Sequence, residues 1–337
     1  MDKKSVLLGF SGGIDSRTAI ERLRSDGYRV VALTINTMGD EEFMQMAHNA
    51  ANEQGVEWIG YDAREEFKRD IIDYFCNEYA SGRTPAPCTR CNTLIKWKIL
   101  LKVANEHNFG HIATGHYFRI VEHNGMKYVA RGADPIKDQS YYLWGLSQEI
   151  LSRAITPMGN AIKSEVKAHF ENKSESMGIC FLRGKHYTEF LAEHNGKAPS
   201  GDIVDSNNEV VGQHNGIFHY TAGQRRGEGI PTGLRVLHLD AVNNRVVVGN
   251  NELLFKKKVY IDQCNIVDNN ELLTATDITI KIRGIGRNPE LPVSIEQHNS
   301  GYMITTTDPM WAPAVGQPLV FYRNNLVIGG GIVESFE

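Results

Sequence analysis

A glycine-rich run near the start of the sequence has residue types that bind phosphate. Ser11-Gly12-Gly13-Ile14-Asp15-Ser16 follows a short apolar stretch and precedes a helical one. Its glycines let the backbone turn tightly, so that N–H groups and a helix N terminus can face an anion. Asp15 has two interpretations, as a helix cap or as a carboxylate that helps hold Mg²⁺. Because the sequence has no G-x-x-x-x-G-K-[ST] run and this loop is not a full G-x-G-x-x-G, we expect another class of nucleotide loop.

Three of the five cysteines lie where thiol chemistry is expected. Cys88 and Cys91 form a C-x-x-C pair, and Cys180 lies by itself in G-I-C-F. We expect Cys91 to begin a helix beside an arginine, where both the helix terminus and the cation favour a thiolate. The pair has several interpretations: a structural zinc site, a redox pair, catalytic thiols or iron–sulfur ligands. Cys76 and Cys264 are predicted to be ordinary core residues.

The first half of the chain alternates strand and helix patterns. We predict strands over 5–10, 28–35, 56–61 and 111–114, and helices over 15–26, 43–54, 64–79 and 92–106. Such alternation predicts an α/β domain with a doubly wound, mostly parallel sheet. A sheet of this kind binds its ligand at the carboxyl ends of the strands, where Ile35 and the run Ala113-Thr114-Gly115-His116 fall.

After about residue 190 the pattern changes to short β-rich runs with turns between them. Asn243-Asn244 and Asn324-Asn325 each divide two apolar runs and predict hairpins. The part from residue 258 onward predicts a small all-β unit, a barrel that closes its own edges. We therefore divide the chain into three domains, over 1–187, 188–254 and 255–337.

Composition restricts the class of protein. The 337 residues are 41% hydrophobic and 23% charged, which is ordinary for globular proteins and excludes disordered, collagen-like and coiled-coil chains. The start of the chain lacks a signal-peptide pattern, and no apolar run is long enough to span a bilayer, so we expect a cytoplasmic protein with no membrane partner.

The net charge of −4 argues against a nucleic-acid partner, but the basic residues are clustered. Lys96, Lys98 and Lys102 follow one predicted helix, and Arg225-Arg226 and the lysines at 256–258 lie further along. Each cluster alone is explained equally well as a solvated face. Together they could supply the phosphate contacts of a nucleic-acid surface on an acidic protein.

Six motifs in chain order resemble one family. They are S-G-G-I-D-S, G-R-T-P-A-P-C-T-R-C-N-T-L-I-K-W, A-T-G-H-Y, K-D-Q-S-Y-Y-L, G-I-C-F and H-Y-T-A-G-Q-R-R-G. The sequence resembles the tRNA-specific 2-thiouridylases, which use ATP to place sulfur on C2 of the wobble uridine. The resemblance implies an adenine nucleotide α-hydrolase-like (PP-loop) ATP pyrophosphatase domain, a small central tRNA-binding domain and a C-terminal β-barrel. It also implies ATP and Mg²⁺ as cofactors, and tRNA and a sulfur-donor protein as partners.

The same resemblance assigns roles to residues. It implies that Cys91 is the nucleophile and that Cys180 carries a persulfide. The implied ATP-binding residues are Gly9, Phe10, Ser11, Gly12, Gly13, Ile14, Asp15, Ser16, Ile35 and Gly115. The implied contacts to the target base or to tRNA are Ala86, Pro87, Cys88, His116, Lys137, Asp138, Gln139, Arg283 and Gln317.

One departure from the family pattern leaves the mechanism open. Many members have Asp where this chain has Cys88, so Cys88, Cys91 and Cys180 could instead ligate a [4Fe–4S] cluster whose open iron carries the sulfur. Two hypotheses from other classes also remain: a PP-loop synthetase that adenylates or amidates a small molecule, and a non-enzymatic RNA-binding protein.

Overall fold

The computed structural model describes residues 2–170, 178–196, 198–282 and 288–337, in two compact units. Unit 1 comprises Met1–Ile71, Cys88–Met177 and Asn325–Ile328; unit 2 comprises Ile72–Pro87, Gly178–Asn324 and Gly329–Glu337. The three-domain division of the sequence stays a prediction. Arg283, predicted to contact tRNA, lies outside the described residues.

Unit 1 is built on a parallel sheet. The strands from its first two chain segments are β1 (Asp2–Gly9), β2 (Arg29–Asn36), β3 (Glu57–Asp62), β4 (Phe109–Thr114), β5 (Phe118–His123), β6 (Met126–Arg131) and β7 (Ala154–Ile155). The sheet has the order β3-β2-β1-β4-β7, with all neighbours parallel. This order runs outward on both sides of β1 and confirms the predicted doubly wound sheet. β5 and β6 form an antiparallel hairpin that the sequence patterns did not predict.

The apolar content of β1 explains why it lies at the centre of the sheet. Val6, Leu7 and Leu8 are all fully buried, as expected for a parallel strand that helices cover on both faces. The first helix buries Ala19 and Ile20 in the same core. The sheet therefore provides a rigid base for the loop that follows β1.

Most of the helices predicted from the sequence are present in the structure. They are α1 (Ile14–Ser25), α2 (Glu41–Glu53), α3 (Arg64–Phe67), α4 (Asp73–Ala80), α5 (Pro87–Cys91), α6 (Trp97–Glu106), α7 (Gln148–Arg153), α8 (Lys163–Ala168), α9 (Tyr187–Asn195) and α10 (Asn269–Thr274). A π-helical segment, Lys68–Ile72, joins α3 to α4, and a second, Asn92–Lys96, joins α5 to α6. Among the described helices, none has the length and apolar character needed to cross a membrane.

The predicted helix start near residue 92 is wrong. The helical run begins at Pro87 and continues to Glu106. Proline suits a first helical position, because its fixed φ is helical and no N–H is needed there. Cys91 therefore lies one turn inside the helix, and Cys88 occupies the first turn.

Unit 2 contains two sheets. The remaining strands are β8 (Gly201–Val204), β9 (Val210–His214), β10 (Arg235–Asp240), β11 (Arg245–Gly249), β12 (Phe255–Ile266), β13 (Ile278–Lys281), β14 (Ser294–His298), β15 (Gly301–Trp311), β16 (Pro318–Arg323) and β17 (Leu326–Phe336). One sheet has the order β10-β11-β8-β9, and the other contains the path β13-β16-β17-β12-β15-β14. Asn244 and Asn324 have φ values of 52° and 53°, in agreement with the two predicted turns. The short helix α10 interrupts the part expected to be all β.

Candidate active site

The predicted phosphate loop lies between β1 and α1, at the carboxyl end of the sheet. Gly12 has a φ of +75°, and a Cβ there would lie 3.3 Å from the Cβ of Ala50, so both conformation and space favour glycine. Gly13 precedes α1, and no side chain among the described residues caps that helix. The first N–H groups of α1 are therefore available to a ligand.

Bonds within unit 1 hold the carbonyl groups of this loop. Arg17 Nε donates to Gly12 O at 2.9 Å, and the Ser16 hydroxyl donates to Gly13 O at 2.9 Å. The guanidinium of Arg17 also pairs with Glu53 at 2.7 Å. These contacts hold the carbonyl groups of Gly12 and Gly13 in place within unit 1.

Asp15 does not cap the helix, so the capping interpretation is wrong. Its carboxylate accepts hydrogen bonds from Lys163 Nζ at 2.6 and 2.7 Å, and from the Tyr117 hydroxyl at 2.7 Å. The side chain of Lys163 is only 7% exposed. A buried cation therefore neutralises the one carboxylate in the first turn of α1.

Other residues of unit 1 hold Lys163 and Tyr117 in place. The backbone N–H of Lys163 donates to Asp134 Oδ2 at 2.9 Å, and this bond is the main reason that the pKa of Asp134 is lowered. Burial raises the pKa of Tyr117, and the bond to Asp15 adds to that shift. Sequence reasoning missed both roles. Tyr117 belongs to the A-T-G-H-Y motif, but nothing in the sequence distinguished Lys163 from other lysines.

The end of β4 lies against the loop. A Cβ on Gly115 would lie 3.1 Å from the backbone nitrogen of Ser16, so that the two backbones approach closely only because this residue is glycine. Ile35 is partly buried at the end of β2, two residues beyond Leu33, which pairs with Gly9. The predicted adenosine-binding positions therefore lie at the carboxyl ends of β2 and β4, the two strands that flank β1 in one sheet.

His116 is neutral at physiological pH. Burial, assisted by the positive charge of Lys96, lowers the pKa of His116 to about 3. One ring nitrogen, Nδ1, lies 2.8 Å from the Thr114 hydroxyl. In its predicted contact with tRNA, His116 would therefore act as a hydrogen-bonding or stacking group and not as a cation.

Two members of the Lys137-Asp138-Gln139 run bond within unit 1. Gln139 Oε1 accepts from the N–H of Tyr117 at 2.9 Å, and Gln139 N–H donates to the carbonyl of Tyr117 at 2.9 Å. Asp138 accepts from the backbone N–H of Gly132 at 2.9 Å, and its side chain is 6% exposed. These side chains position the local backbone, and their contact with tRNA stays a prediction.

The C-x-x-C pair has one exposed and one buried member. Cys88 is exposed, whereas Cys91 is 7% exposed. The side-chain amide of Asn92, at the start of the π-helical segment, donates to the backbone carbonyl of Cys88 at 3.1 Å. Burial and the nearby thiol of Cys88 raise the pKa of Tyr142. π-Helical turns are frequent at functional sites, which fits a predicted nucleophile beside one.

Cys180 lies in unit 2, whereas Cys91 belongs to unit 1. Cys180 is exposed and begins the single 3₁₀ turn Cys180–Leu182. The next side chain, Phe181, is buried edge-on against Phe75, with ring centroids 5.1 Å apart. A buried aromatic residue thus anchors a turn that presents an exposed thiol.

The other two cysteines have no feature of a catalytic thiol. Cys76 is buried, which confirms the core prediction. Cys264 is partly buried, and burial raises its pKa to about 12, so it stays a neutral thiol.

Contacts within unit 2 hold the segment that leads to the predicted target-base residues Ala86 and Pro87. Gln317 Nε2 donates to the carbonyl of Thr84 at 2.8 Å, and Thr84 N–H donates to a backbone carbonyl of the same unit at 2.8 Å. Arg83 forms ion pairs with Glu78 and Glu334, each at 2.9 Å. Gln317 was predicted to contact tRNA, and in the structure it also positions this segment.

The described residues contain no assembled metal site. Within 2–170, 178–196, 198–282 and 288–337, no three His, Cys, Asp or Glu side chains lie together as ligands for a metal ion. The iron–sulfur interpretation of Cys88, Cys91 and Cys180 stays a prediction.

Known families and proteins are similar to this chain along nearly its whole length. Three family models match: a tRNA methyl transferase HUP domain over 4–184, a tRNA methyl transferase PRC-barrel domain over 188–250 and an aminomethyltransferase beta-barrel domain over 256–333. The tRNA-specific 2-thiouridylase MnmA 1 of Bacteroides fragilis is 38% identical, over 98% of this chain and 97% of the relative. MnmA 2 of Phocaeicola vulgatus is 36% identical, over 97% of each chain, and MnmA of Clostridium perfringens is 34% identical, over 99% of each.

The first prediction concerns the neutralised carboxylate. Lys163→Met leaves Asp15 with a negative charge that repels phosphate, so we expect the Kd for ATP, measured by calorimetry, to rise about tenfold or more. Loss of a largely buried partner should also lower the free energy of unfolding by about 1–3 kcal/mol. Lys185→Met is the matched control, because its pair with Glu193 is about half exposed at 47% and 51%. Unchanged ATP affinity in Lys163→Met would contradict this role.

The second prediction concerns pH. The pKa of His116 is about 3 in the folded protein and about 6.5 in an unfolded chain, so between these values the unfolded chain binds the extra proton. The free energy of unfolding should therefore fall as the pH drops below 6.5. His116→Gln lacks this contribution, and its urea unfolding at pH 7, 6 and 5 should depend less steeply on pH. Identical pH dependence in the two proteins would refute the assignment.

Proposed function

This chain belongs to the tRNA-specific 2-thiouridylase family, and we propose that it uses ATP to convert the wobble uridine of tRNA into 2-thiouridine. The enzyme is then a tRNA-uridine 2-sulfurtransferase that releases AMP and pyrophosphate. We also propose a cytoplasmic location and the three domains over 1–187, 188–254 and 255–337.

One observation carries this proposal. Relatives named tRNA-specific 2-thiouridylase are 34–38% identical over 97–99% of this chain. The residues needed for such chemistry are also present: a fixed loop with an uncapped helix, and the thiols Cys91 and Cys180. No relative named here supports the small-molecule synthetase or the non-enzymatic RNA-binding hypothesis.

In the first step, ATP activates the base. Uridine O2 attacks the α-phosphorus of ATP, the bond to the β-phosphate oxygen breaks, and pyrophosphate leaves. Mg²⁺ bound to the phosphates of ATP would offset the charge of the pyrophosphate leaving group. The N–H groups at the start of α1 bind phosphate oxygens, while Lys163 cancels the charge of Asp15 beneath them.

In the second step, sulfur replaces the activated oxygen. The terminal sulfur of a Cys180 persulfide attacks C2, and AMP leaves with the former O2 of uridine. The thiolate of Cys91 then attacks the Sγ atom of Cys180, which forms a Cys91–Cys180 disulfide and leaves the terminal sulfur on C2. An external dithiol reduces the disulfide, and a sulfur-donor protein restores the persulfide. The base must leave its stack to reach this site.

Loss of each of the two thiols should stop the reaction at a different step. Cys180→Ser removes the sulfur carrier, so we expect no 2-thiouridine in tRNA nucleosides measured by mass spectrometry. Cys91→Ser stops the reaction after sulfur attack, so we expect a covalent enzyme–tRNA adduct that a thiol reductant releases. Cys264→Ser is the matched control and should retain normal activity, because that thiol is partly buried and neutral. Normal thiolation by Cys180→Ser would refute the mechanism.

Cys88 distinguishes the persulfide mechanism from the iron–sulfur alternative. Cys88→Asp restores the commoner family residue, so the persulfide mechanism predicts that thiolation continues. The measurement is activity together with iron content and visible absorption after anaerobic purification. Parallel loss of iron and activity in Cys88→Asp would favour the cluster and contradict the two-thiol mechanism.

A further inference from the structure

Two consecutive hydrogen bonds in unit 1 run from the edge strand β3 to the start of the phosphate loop. The indole Nε1 of Trp58, on β3, donates to the hydroxyl of Thr34, on β2, at 2.9 Å. That hydroxyl donates in turn to the carbonyl of Phe10, the residue that follows β1, at 2.9 Å. Neither Trp58 nor Thr34 has a role in the chemistry above.

The chemistry of the three groups fixes the direction of both bonds. An indole N–H can only donate and a carbonyl oxygen can only accept, so the hydroxyl between them must accept from Trp58 and donate to Phe10. Thr34 is fully buried, so bulk water does not compete for its hydroxyl. Because consecutive hydrogen bonds polarise each other, the bond from Trp58 strengthens the bond that Thr34 makes to the carbonyl.

Gly60 allows the indole to reach Thr34. In the parallel pairing of β2 with β3, Thr34 lies opposite Gly60, and Trp58 lies two residues earlier on the same face of the sheet. A Cβ on Gly60 would lie 2.8 Å from Cη2 of Trp58, so the indole lies over bare backbone at this position. The ring of His48, on α2, lies 4.7 Å from the ring of Trp58, measured between centroids. These contacts hold the indole along β3, with its N–H at Thr34.

The carbonyl of Phe10 and the N–H of Ser11 belong to one peptide group. This group is planar and trans, so its C=O and N–H bonds point in opposite directions. The N–H of Phe10 donates to the carbonyl of Leu33 at 2.8 Å, which holds the residue from its other side. The bond from Thr34 to the carbonyl of Phe10 therefore sets the direction in which the N–H of Ser11 points.

Ser11 is the first residue of the phosphate loop, and it is exposed. Among the described residues, no acceptor receives a hydrogen bond from its N–H. We propose that Trp58 and Thr34 are positioning residues, which direct the N–H of Ser11 toward a phosphate group of ATP. This inference rests on the proposed function, because it takes ATP as the substrate.

The test compares the Kd of ATP with the Kd of adenosine, which has the base and the sugar but no phosphate, by calorimetry. Thr34→Val keeps the shape of the side chain and removes the hydroxyl, so we expect the Kd of ATP to rise about tenfold. Trp58→Phe removes the indole donor alone, so we expect a rise of about threefold. The Kd of adenosine should stay unchanged in both variants.

Thr34→Ser separates this role from simple packing. Serine keeps the hydroxyl and loses a methyl group, whereas valine keeps the methyl group and loses the hydroxyl. A packing role makes valine the better replacement, but the proposal predicts that Thr34→Ser binds ATP nearly as tightly as the wild type. Adding Trp58→Phe to Thr34→Val should raise the Kd of ATP no further, because Trp58 acts through that hydroxyl.

Thr306→Val and Trp311→Phe are the matched controls in unit 2. Thr306 is buried, and its hydroxyl donates to the carbonyl of Lys257 at 3.4 Å. The indole of Trp311 donates to Asn251 Oδ1 at 3.1 Å. Each control loses a bond of the same kind outside the unit that contains the phosphate loop, so the Kd of ATP should not change. Thermal unfolding verifies that each variant is folded, and if Thr34→Val is not, Trp58→Phe against Trp311→Phe decides the question.

Two results would overturn the inference while the proposed function stands. One is a wild type that binds ATP and thiolates tRNA together with Thr34→Val and Trp58→Phe variants whose Kd for ATP is unchanged. The other is an equal rise in the Kd of ATP and of adenosine, which would indicate a general loss of packing in place of a lost phosphate contact. A wild type that binds no ATP would instead refute the proposed function.

Discussion

The ion pair between Lys163 and Asp15 is the contact on which the candidate ATP site depends. Asp15 lies in the first turn of the helix whose N terminus should hold phosphate, and an unpaired carboxylate there would oppose the ligand. Its partner is 148 residues away in sequence and nearly buried. Lys163 begins α8, so the negative charge of Asp15 is neutralised only when α8 is folded onto the rest of unit 1.

The same principle recurs in unit 2, where distant residues hold chemically important segments. The carboxylate of Glu334 pairs with Arg83, and the amide of Gln317 holds Thr84, just before the predicted target-base residues. Phe181 is buried beside the exposed thiol of Cys180. In each unit, reactive or ligand-facing groups lie on short segments whose positions are set by bonds to other parts of the chain.

Local pattern was enough to predict the parallel sheet and the phosphate loop, because buried strands such as β1 are continuous apolar runs. It was insufficient where a property depends on distant partners. The pairing of Asp15 with Lys163 has no local signal, and neither has the neutral state of His116, which results from burial. The helix start at Pro87 was missed because apolar periodicity becomes regular only after the C-x-x-C pair. Motif resemblance implied that Cys91 is the nucleophile, but it could not reveal that Cys91 is buried and Cys88 exposed.

The central claim is that ATP activates the oxygen that sulfur then replaces. The most direct measurement uses tRNA whose wobble uridine carries ¹⁸O at O2, with ATP and a sulfur donor, and follows both products by mass spectrometry. The account predicts one ¹⁸O atom in AMP for every 2-thiouridine formed. Formation of 2-thiouridine with unlabelled AMP, or without AMP, would contradict it.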